Sequence, residues 1–150
     1  MNKNPVVLLV EDDEAHAEIA QVVLGDLMPE VVVHRASDGE EAIRYLENCC
    51  TGLPEARKPW PDLILLDLRM PKVDGLEVLK RIKTDSATRS IPVVVLTTSS
   101  ANADVERAYD LGVNSYLVKP AGYDAFSKLL SQFGKYWFNW NRKPIPIHVS

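Results

Sequence analysis

Five short apolar runs alternate along this chain with five longer stretches in which apolar residues recur at helical spacing. The apolar runs are VVLLV (6–10), VVVHR (31–35), DLILLD (62–67), PVVVLT (92–97) and NSYLVK (114–119). The first, third and fourth runs are continuous rather than alternating, as expected for strands that are covered on both faces. The stretches that follow the runs predict helices near 13–25, 38–49, 74–85, 102–111 and 122–140.

The alternation of strands and helices predicts the fold class. Five such repeats are typical of an α/β domain with a doubly wound, five-stranded parallel sheet. Right-handed crossovers between the strands would place helices on both faces of that sheet. Local signals agree with this pattern, because Ser37 with Glu40 reads as a capping box at the start of the second helix. Asp74 with Glu77 resembles a second one at the start of the third helix.

Length and charge exclude several classes of protein. The 150 residues are enough for one domain with a full core, which we expect to span 1–134, followed by a C-terminal extension over 135–150. The net charge of −4 gives no indication of the basic surface that nucleic-acid-binding proteins carry. No apolar run approaches the roughly 20 residues that span a bilayer, and the N-terminus does not resemble a signal peptide. We therefore expect a cytoplasmic protein that binds neither nucleic acid nor membrane.

Polar and charged residues follow four of the five predicted strands. They are Glu11-Asp12-Asp13, Asp67, Thr97-Thr98-Ser99 and Lys119-Pro120. In an open parallel sheet, ligands bind beyond the carboxyl ends of the strands, so these side chains should gather at one edge. Clustered carboxylates repel one another unless a cation holds them ionised, and Mg²⁺ binds such oxygens while leaving room for phosphate. Carboxylates, Mg²⁺, a lysine and a hydroxyl together suit phosphoryl transfer to a carboxylate.

The motifs that carry these residues resemble a known family. LLVEDDE, LLDLRMPKVDG, VVLTTS and YLVKP, in this order and spacing, are similar to the receiver domain of two-component response regulators. The resemblance covers roughly residues 5–134 and implies a flavodoxin-like fold. Position 11 is Glu where many members have Asp, which lengthens the reach to a metal and keeps the carboxylate.

The resemblance implies a role for each matching residue. Asp67 would be the phospho-acceptor, and Mg²⁺ would be bound by Glu11, Asp12, Asp67 and the backbone carbonyl of Arg69. Lys119 would pair with the phosphate, Thr97 and Tyr116 would form the conformational switch, and the Lys119–Pro120 peptide would be cis. Such a protein catalyses only its own phosphorylation and dephosphorylation, and its partner is a sensor histidine kinase.

Several alternatives remain at particular positions. Asp13 could be a further metal ligand, although an Asp before a helix is more often its cap. A phosphatase of the haloacid dehalogenase type needs a second Asp two residues after the first, where this chain has Arg69. A dinucleotide-binding domain needs a glycine-rich turn after the first strand, which is acidic here. His16, His34 and His148 have no partners at useful spacing, so the phosphoryl donor must come from another protein.

The C-terminal extension is rich in aromatic residues. Phe126, Leu129, Leu130, Phe133, Trp137 and Trp140 continue one helical stripe. These aromatics either fold back over the core of their own domain or form an interface, and we favour the interface. Trp137, Phe138 and Trp140 would then support a homodimer through the fourth helix, the fifth strand and the fifth helix. The proline-rich segment 144–147 could lie as an arm along the partner.

No output domain follows the predicted receiver in this sequence, which suggests a stand-alone receiver. The stretches TTS and NSYLVKP and the YWF of the extension are similar to the small response regulators that are paired with phytochrome-type histidine kinases. This narrower resemblance implies phytochrome signalling as the context of the phosphorelay.

Overall fold

A single parallel sheet forms the centre of the molecule. The structure is a computed structural model that describes residues 4–143. The strands are β1 (Val6–Val10), β2 (Val32–Ala36), β3 (Leu63–Leu66), β4 (Val93–Thr97) and β5 (Ser115–Val118). They lie in the order β2-β1-β3-β4-β5, and all four pairings are parallel. The predicted doubly wound α/β fold is confirmed.

One helix follows each strand. The helices are α1 (Glu14–Leu27), α2 (Gly39–Glu47), α3 (Gly75–Thr84), α4 (Asn102–Asp110) and α5 (Tyr123–Lys135). A short 3₁₀ turn at Pro54–Ala56 interrupts the long connection before β3, and a π-helical segment, Tyr136–Trp140, continues α5. None of the helices within residues 4–143 is both long enough and apolar enough to cross a bilayer.

Aspartate side chains begin the first three helices. The capping residues are Asp13, Asp38 and Asp74. Asp74 caps α3 as we predicted, although the Glu77 carboxylate pairs with Arg81. The capping box of α2 lies one residue later than the Ser37–Glu40 pair that we predicted. Asp38 accepts a hydrogen bond from the Glu41 N–H at 2.8 Å, and the Glu41 carboxylate accepts one from the Ser37 N–H at 3.2 Å. Because Asp is as good a cap as Ser, the Asp-to-Glu spacing determines where the helix begins.

The sheet separates two hydrophobic clusters. Successive side chains of a strand point to opposite faces, so Leu8 and Val10 belong to one cluster while Val7 and Leu9 belong to the other. Helices α2, α3 and α4 cover the first cluster, and α1 and α5 cover the second. The strands β1, β3 and β4 are buried along their whole length, which explains their continuous apolar sequences.

The end of α5 differs from our prediction. We predicted one α-helix over 122–140, but the α-helical part ends at Lys135 and the π-helical segment follows. The wider turn rotates Trp137 inward, where it is 6% exposed and stacks on Phe133 at a ring-centroid distance of 6.0 Å. Phe138 packs against the same cluster. The prediction that Trp137 is an interface residue is therefore wrong, because this ring completes the core of its own domain.

Trp140 lies on the opposite side of the π-helical segment and is 83% exposed, so it remains a candidate for contact with another molecule. Phe138 is half-buried and packs against the hydrophobic cluster that contains Trp137. The segment 144–147, which we predicted to be an arm, lies outside the described residues, as does His148.

The two tryptophans give a test of this packing. Trp137→Ala should lower the free energy of unfolding by about 3 kcal/mol, because it removes a large ring from a closed core. At a protein concentration at which the chain is monomeric, the matched variant Trp140→Ala should change it by less than about 0.5 kcal/mol, because that ring is 83% exposed on its own chain. Urea unfolding at two protein concentrations measures both effects. Equal losses in the two variants would show that the assignment of Trp137 to the core is wrong.

Candidate functional site

Two carboxylates lie side by side where the strand order of the sheet reverses. Glu11 follows β1 and Asp67 follows β3, and these strands are hydrogen-bonded neighbours. The chain winds outward in opposite directions from β1 and β3, so a crevice opens at their carboxyl ends. Asp12 is exposed at the rim of this crevice, and one oxygen from each of Glu11, Asp12 and Asp67 lies within 4.8 Å of the others. The sequence prediction that these three residues come together is confirmed.

Lys119 joins the two buried carboxylates. It follows β5, and its side chain is only 3% exposed. Its Nζ lies 2.5 Å from Glu11 Oε1 and 3.3 Å from Asp67 Oδ2. Burying one ammonium between two carboxylates leaves the group with excess negative charge, since a single cation balances only one of them. The site is therefore built to accept further positive charge.

The pKa of Glu11 shows the cost of burying a carboxylate in this site. Burial raises the pKa of the Glu11 carboxyl to about 7, the hydrogen bond from Lys119 opposes that rise, and the charge of Asp67 adds to it. A carboxyl group with such a pKa holds its proton near neutral pH unless a cation displaces it. The protonation of Glu11 and the binding of a cation are thus in competition.

The backbone around Asp67 fixes the direction of its carboxylate. The Asp67 N–H donates to the Val10 carbonyl at 3.0 Å, which continues the ladder between β3 and β1. Asp67 Oδ1 accepts a hydrogen bond from the Arg69 N–H at 3.1 Å. The loop then folds back so closely that a Cβ at Gly75 would contact the Asp67 carbonyl and lie 2.5 Å from the Leu68 Cα. Only glycine allows this approach, so the position after Asp74 is constrained by the site itself.

Two residues at the rim have roles that the sequence left open or missed. Asp13 accepts a hydrogen bond from the His16 N–H at 3.0 Å and caps α1, and its oxygens are not part of the carboxylate cluster. That backbone hydrogen bond lowers the pKa of Asp13. Arg35 donates to the carbonyl oxygens of Glu11 and Asp12 at 3.1 and 3.3 Å. The end of β2 therefore holds the acidic loop in place.

The end of β4 supplies the hydroxyl side of the site. Thr97 is fully buried, and its Oγ1 accepts a hydrogen bond from the Ser99 N–H at 3.4 Å. The Tyr116 hydroxyl donates to the Ser99 carbonyl at 2.9 Å, so this loop connects the predicted switch residues. Asp104 of α4 accepts from Arg69 Nη2 and Ser99 Oγ, each at 2.5 Å. The loop that carries Asp67 is thereby tied to α4, a link that no sequence spacing indicated.

His16 is a further residue of the site that sequence reasoning missed. We predicted that it had no partner, but its Nδ1 lies 3.0 Å from Lys119 Nζ. The two residues are 103 positions apart, so no local pattern could reveal the contact. The available signal was its place in the first turn of α1, directly after the acidic loop, which a doubly wound fold turns toward the site.

The comparison with known proteins decides the family. The response regulator receiver domain matches residues 7–131 of this sequence. The chain belongs to the response regulator receiver family. It is a signalling domain that accepts a phosphoryl group, and the resemblance stated from its motifs is confirmed.

The similar proteins include phytochrome response regulators. Response regulator Rcp1 of Synechocystis is 41% identical over 138 residues, which cover 91% of this chain and 90% of Rcp1. The crystal structure of its Mn²⁺-bound form has a TM-score of 0.86 at 38% identity and covers 94% of this chain and 99% of that one. The phosphorylated cyanobacterial phytochrome response regulator RcpA also has a TM-score of 0.86, at 37% identity, with 95% and 99% covered.

A second branch is equally similar in sequence. The probable methanogenesis regulatory protein FilR2 of Methanothrix harundinacea is 42% identical over 142 residues, covering 94% of this chain and 88% of FilR2. Sequence identity alone therefore supports the receiver function, but it does not distinguish phytochrome signalling from the regulation of methanogenesis.

The residues of this receiver suit a divalent cation. Carboxylate oxygens from Glu11, Asp12 and Asp67 are the hard ligands that Mg²⁺ and Mn²⁺ prefer, and Asp12 keeps the cluster open to solvent. The excess negative charge beside Lys119 points the same way. The Arg69 carbonyl stays a predicted ligand.

One detail of the resemblance is wrong for this chain. We predicted a cis Lys119–Pro120 peptide, but no peptide bond within residues 4–143 is cis. The trans form is the lower in free energy for X–Pro bonds by about 0.5–1 kcal/mol. With it, Lys119 still reaches both carboxylates, and its N–H donates to the Thr97 carbonyl at 2.7 Å. The site geometry thus gives no reason to adopt the cis form.

The raised pKa of Glu11 predicts how stability depends on pH and on cations. Without a cation, the folded protein holds the Glu11 proton more tightly than the unfolded chain does, so the contribution of Glu11 to stability falls as pH rises from about 4.5 to about 7. Mg²⁺ at about ten times its Kd should add about 1.4 kcal/mol, or about 3–6 °C in Tm. This gain should be large near pH 8 and small near pH 6.

Thermal melts in chelator and in Mg²⁺ at the two pH values measure this effect. Asp110→Asn changes an exposed carboxylate at the far end of α4 and should behave like the unmodified protein. An Mg²⁺ gain that is the same at both pH values would contradict the role assigned to Glu11.

Proposed function

We propose that Asp67 is the phospho-acceptor of a Mg²⁺-dependent phosphorelay. The observation that carries this proposal is the placement of its carboxylate, buried between the Lys119 ammonium and the Arg69 N–H and beside the open acidic cluster. One Asp67 oxygen attacks the phosphorus of a phosphohistidine on a sensor histidine kinase. An O–P bond forms while the N–P bond breaks, and the imidazole keeps the electron pair of the broken bond.

The surrounding residues stabilise this transfer electrostatically. Lys119 places its positive charge beside the oxygen that it already contacts, where the phosphoryl group arrives. Glu11, Asp12 and Asp67 would hold Mg²⁺, with the Arg69 carbonyl as a further ligand. When bound, the ion supplies charge neutralisation for the carboxylates and the phosphoryl oxygens. In this scheme the protein catalyses only its own phosphorylation and dephosphorylation.

The signal leaves the site through the end of β4. We propose that the phosphoryl group attracts the Thr97 hydroxyl, which now accepts a hydrogen bond from the Ser99 N–H. Movement of this loop would release the Tyr116 hydroxyl from the Ser99 carbonyl and allow the ring to turn. The surface of α4, β5 and α5 would change as a consequence, because the loop is tied to Asp104 of α4.

The partner is a histidine kinase, and we propose one of the phytochrome type acting in the cytoplasm. The support is the similarity of this chain over 95% of its length to RcpA, which is named as a phytochrome response regulator. FilR2, a probable methanogenesis regulatory protein, provides the alternative signalling context. Phosphotransfer from a phytochrome kinase and from a kinase without a light-sensing domain, compared at equal concentration, separates the two.

The phospho-acceptor is tested by substitution. With acetyl phosphate and Mg²⁺, intact mass should rise by one phosphoryl group, and Asp67→Asn should reduce the labelling to background because an amide is not a competent nucleophile. Asp110→Asn, which removes an exposed carboxylate far from the site, should be labelled normally. Labelling of Asp67→Asn at the level of the unmodified protein would contradict the assignment.

We also propose that the chain forms a homodimer through the α4-β5-α5 face and the C-terminal extension beyond residue 134. The support is a set of exposed apolar side chains on these elements: Tyr109, Val118, Tyr123, Tyr136 and Trp140. β5 is an edge strand of the sheet, and within residues 4–143 no further strand pairs with its outer edge. A contact of this kind between identical faces would be isologous.

The oligomeric state tests this second proposal. Light scattering from low to high micromolar concentration should give the mass of a dimer, and Trp140→Ala should shift the equilibrium toward monomer because it removes the most exposed ring of the face. A monomer mass at every concentration would overturn the dimer without affecting the assignment of Asp67.

A further inference from the structure

The Lys119 ammonium is surrounded by three acceptors. A lysine side chain has three N–H donors and no acceptor. Here Nζ lies 2.5 Å from Glu11 Oε1, 3.0 Å from His16 Nδ1 and 3.3 Å from Asp67 Oδ2. Two of these partners belong to the acidic cluster. The third is an imidazole that has no place in the phosphoryl transfer described above, and it completes the hydrogen bonding of the ammonium.

The contact determines the form of His16. Because a charged lysine can only donate, Nδ1 must present its lone pair, and the neutral imidazole then carries its hydrogen on Nε2. The ring is held in place by its neighbours. It packs edge-on against Phe126 of α5 at a ring-centroid distance of 5.3 Å, and it belongs to the first turn of α1.

Protonation would exchange the partner of this imidazole. The charged groups that face His16 are Lys119, with Glu11 and Asp67 behind it, and Asp13 on its own helix, while α5 offers only the Phe126 ring. Asp13 Oδ2 lies 4.0 Å from Nδ1. An imidazolium could no longer accept from Lys119 and would repel it, but it could donate to Asp13. His16 therefore has one partner for each protonation state.

We propose that His16 is a positioning residue that holds the Lys119 ammonium toward Asp67 through its Nδ1 lone pair and releases it when that nitrogen is protonated, so that phosphorylation slows as the pH falls. The proposal rests on Asp67 being the phospho-acceptor.

Two substitutions separate the acceptor from the packing. His16→Asn places Oδ1 where Nδ1 lies, so it keeps an acceptor but takes up no proton. His16→Leu keeps an apolar side chain against Phe126 and has no acceptor. Near pH 8 the rate of phosphorylation by phosphoramidate should be close to normal in His16→Asn and about fivefold lower in His16→Leu, as expected for the loss of one hydrogen bond. Thermal melts check that both variants fold.

The pH profile is the readout that a merely structural role would not change. The ratio of the rate in the unmodified protein to that in His16→Asn cancels the titration of the donor. It should be near one at pH 8 and fall about fivefold by pH 5.5. His34→Asn, at a histidine of β2 that packs on Tyr45, should leave the profile unchanged. A flat ratio, or a normal rate in His16→Leu, would overturn the proposal.

A structural measurement keeps this test distinct from that of Asp67. In an NMR spectrum of imidazole nitrogens near pH 8, the His16 signals should show hydrogen on Nε2, and Lys119→Ala should shift them. The Nδ1–H form, or no response to Lys119→Ala, would refute the His16 contact even if Asp67 is phosphorylated. Failure of Asp67 labelling together with the predicted His16 signals would instead refute the proposed function.

Discussion

The structure depends on one buried interaction, the ammonium of Lys119 between the carboxylates of Glu11 and Asp67. Removing charges from water is costly, and a single cation cannot balance two anions in a site of this burial. Burial raises the pKa of Glu11 to about 7, and the charge of Asp67 adds to that rise. The same charge imbalance that destabilises this cluster favours the binding of a divalent cation. The residues proposed to accept the phosphoryl group are therefore also residues that lower the stability of the fold.

The fold supplies this interaction from three distant parts of the chain. Glu11 and Asp67 meet because β1 and β3 are neighbours at the point where the strand order reverses. Lys119 arrives from the far edge of the sheet, after β5, with a side chain long enough to reach back across β4. Two fully apolar clusters, one on each face, hold the strands in register so that these carboxyl ends coincide. The rigid sheet thus positions loops that carry the reacting groups.

Much of this arrangement could be predicted from the sequence. Continuous apolar runs gave the parallel sheet, and the rule that ligands bind at the carboxyl ends of the strands brought Glu11, Asp67 and Lys119 together. Contacts made by side chains that do not follow directly after a strand could not be predicted in this way. His16 and Arg35 reach the site only through the tertiary fold. Trp137 turned inward because a π-helical segment changed the helical phase, which a regular periodicity cannot anticipate.

The proposed mechanism requires the phosphoryl group to reside on Asp67 and on no other carboxylate of the cluster. The direct measurement is to phosphorylate the unmodified protein, reduce the acyl phosphate with borohydride and sequence the peptides by mass spectrometry. Reduction of an aspartyl phosphate leaves homoserine at the modified position. We predict homoserine at position 67 in a Mg²⁺-dependent amount. Homoserine at position 12, or an equivalent reduction product at Glu11 with none at position 67, would contradict the account.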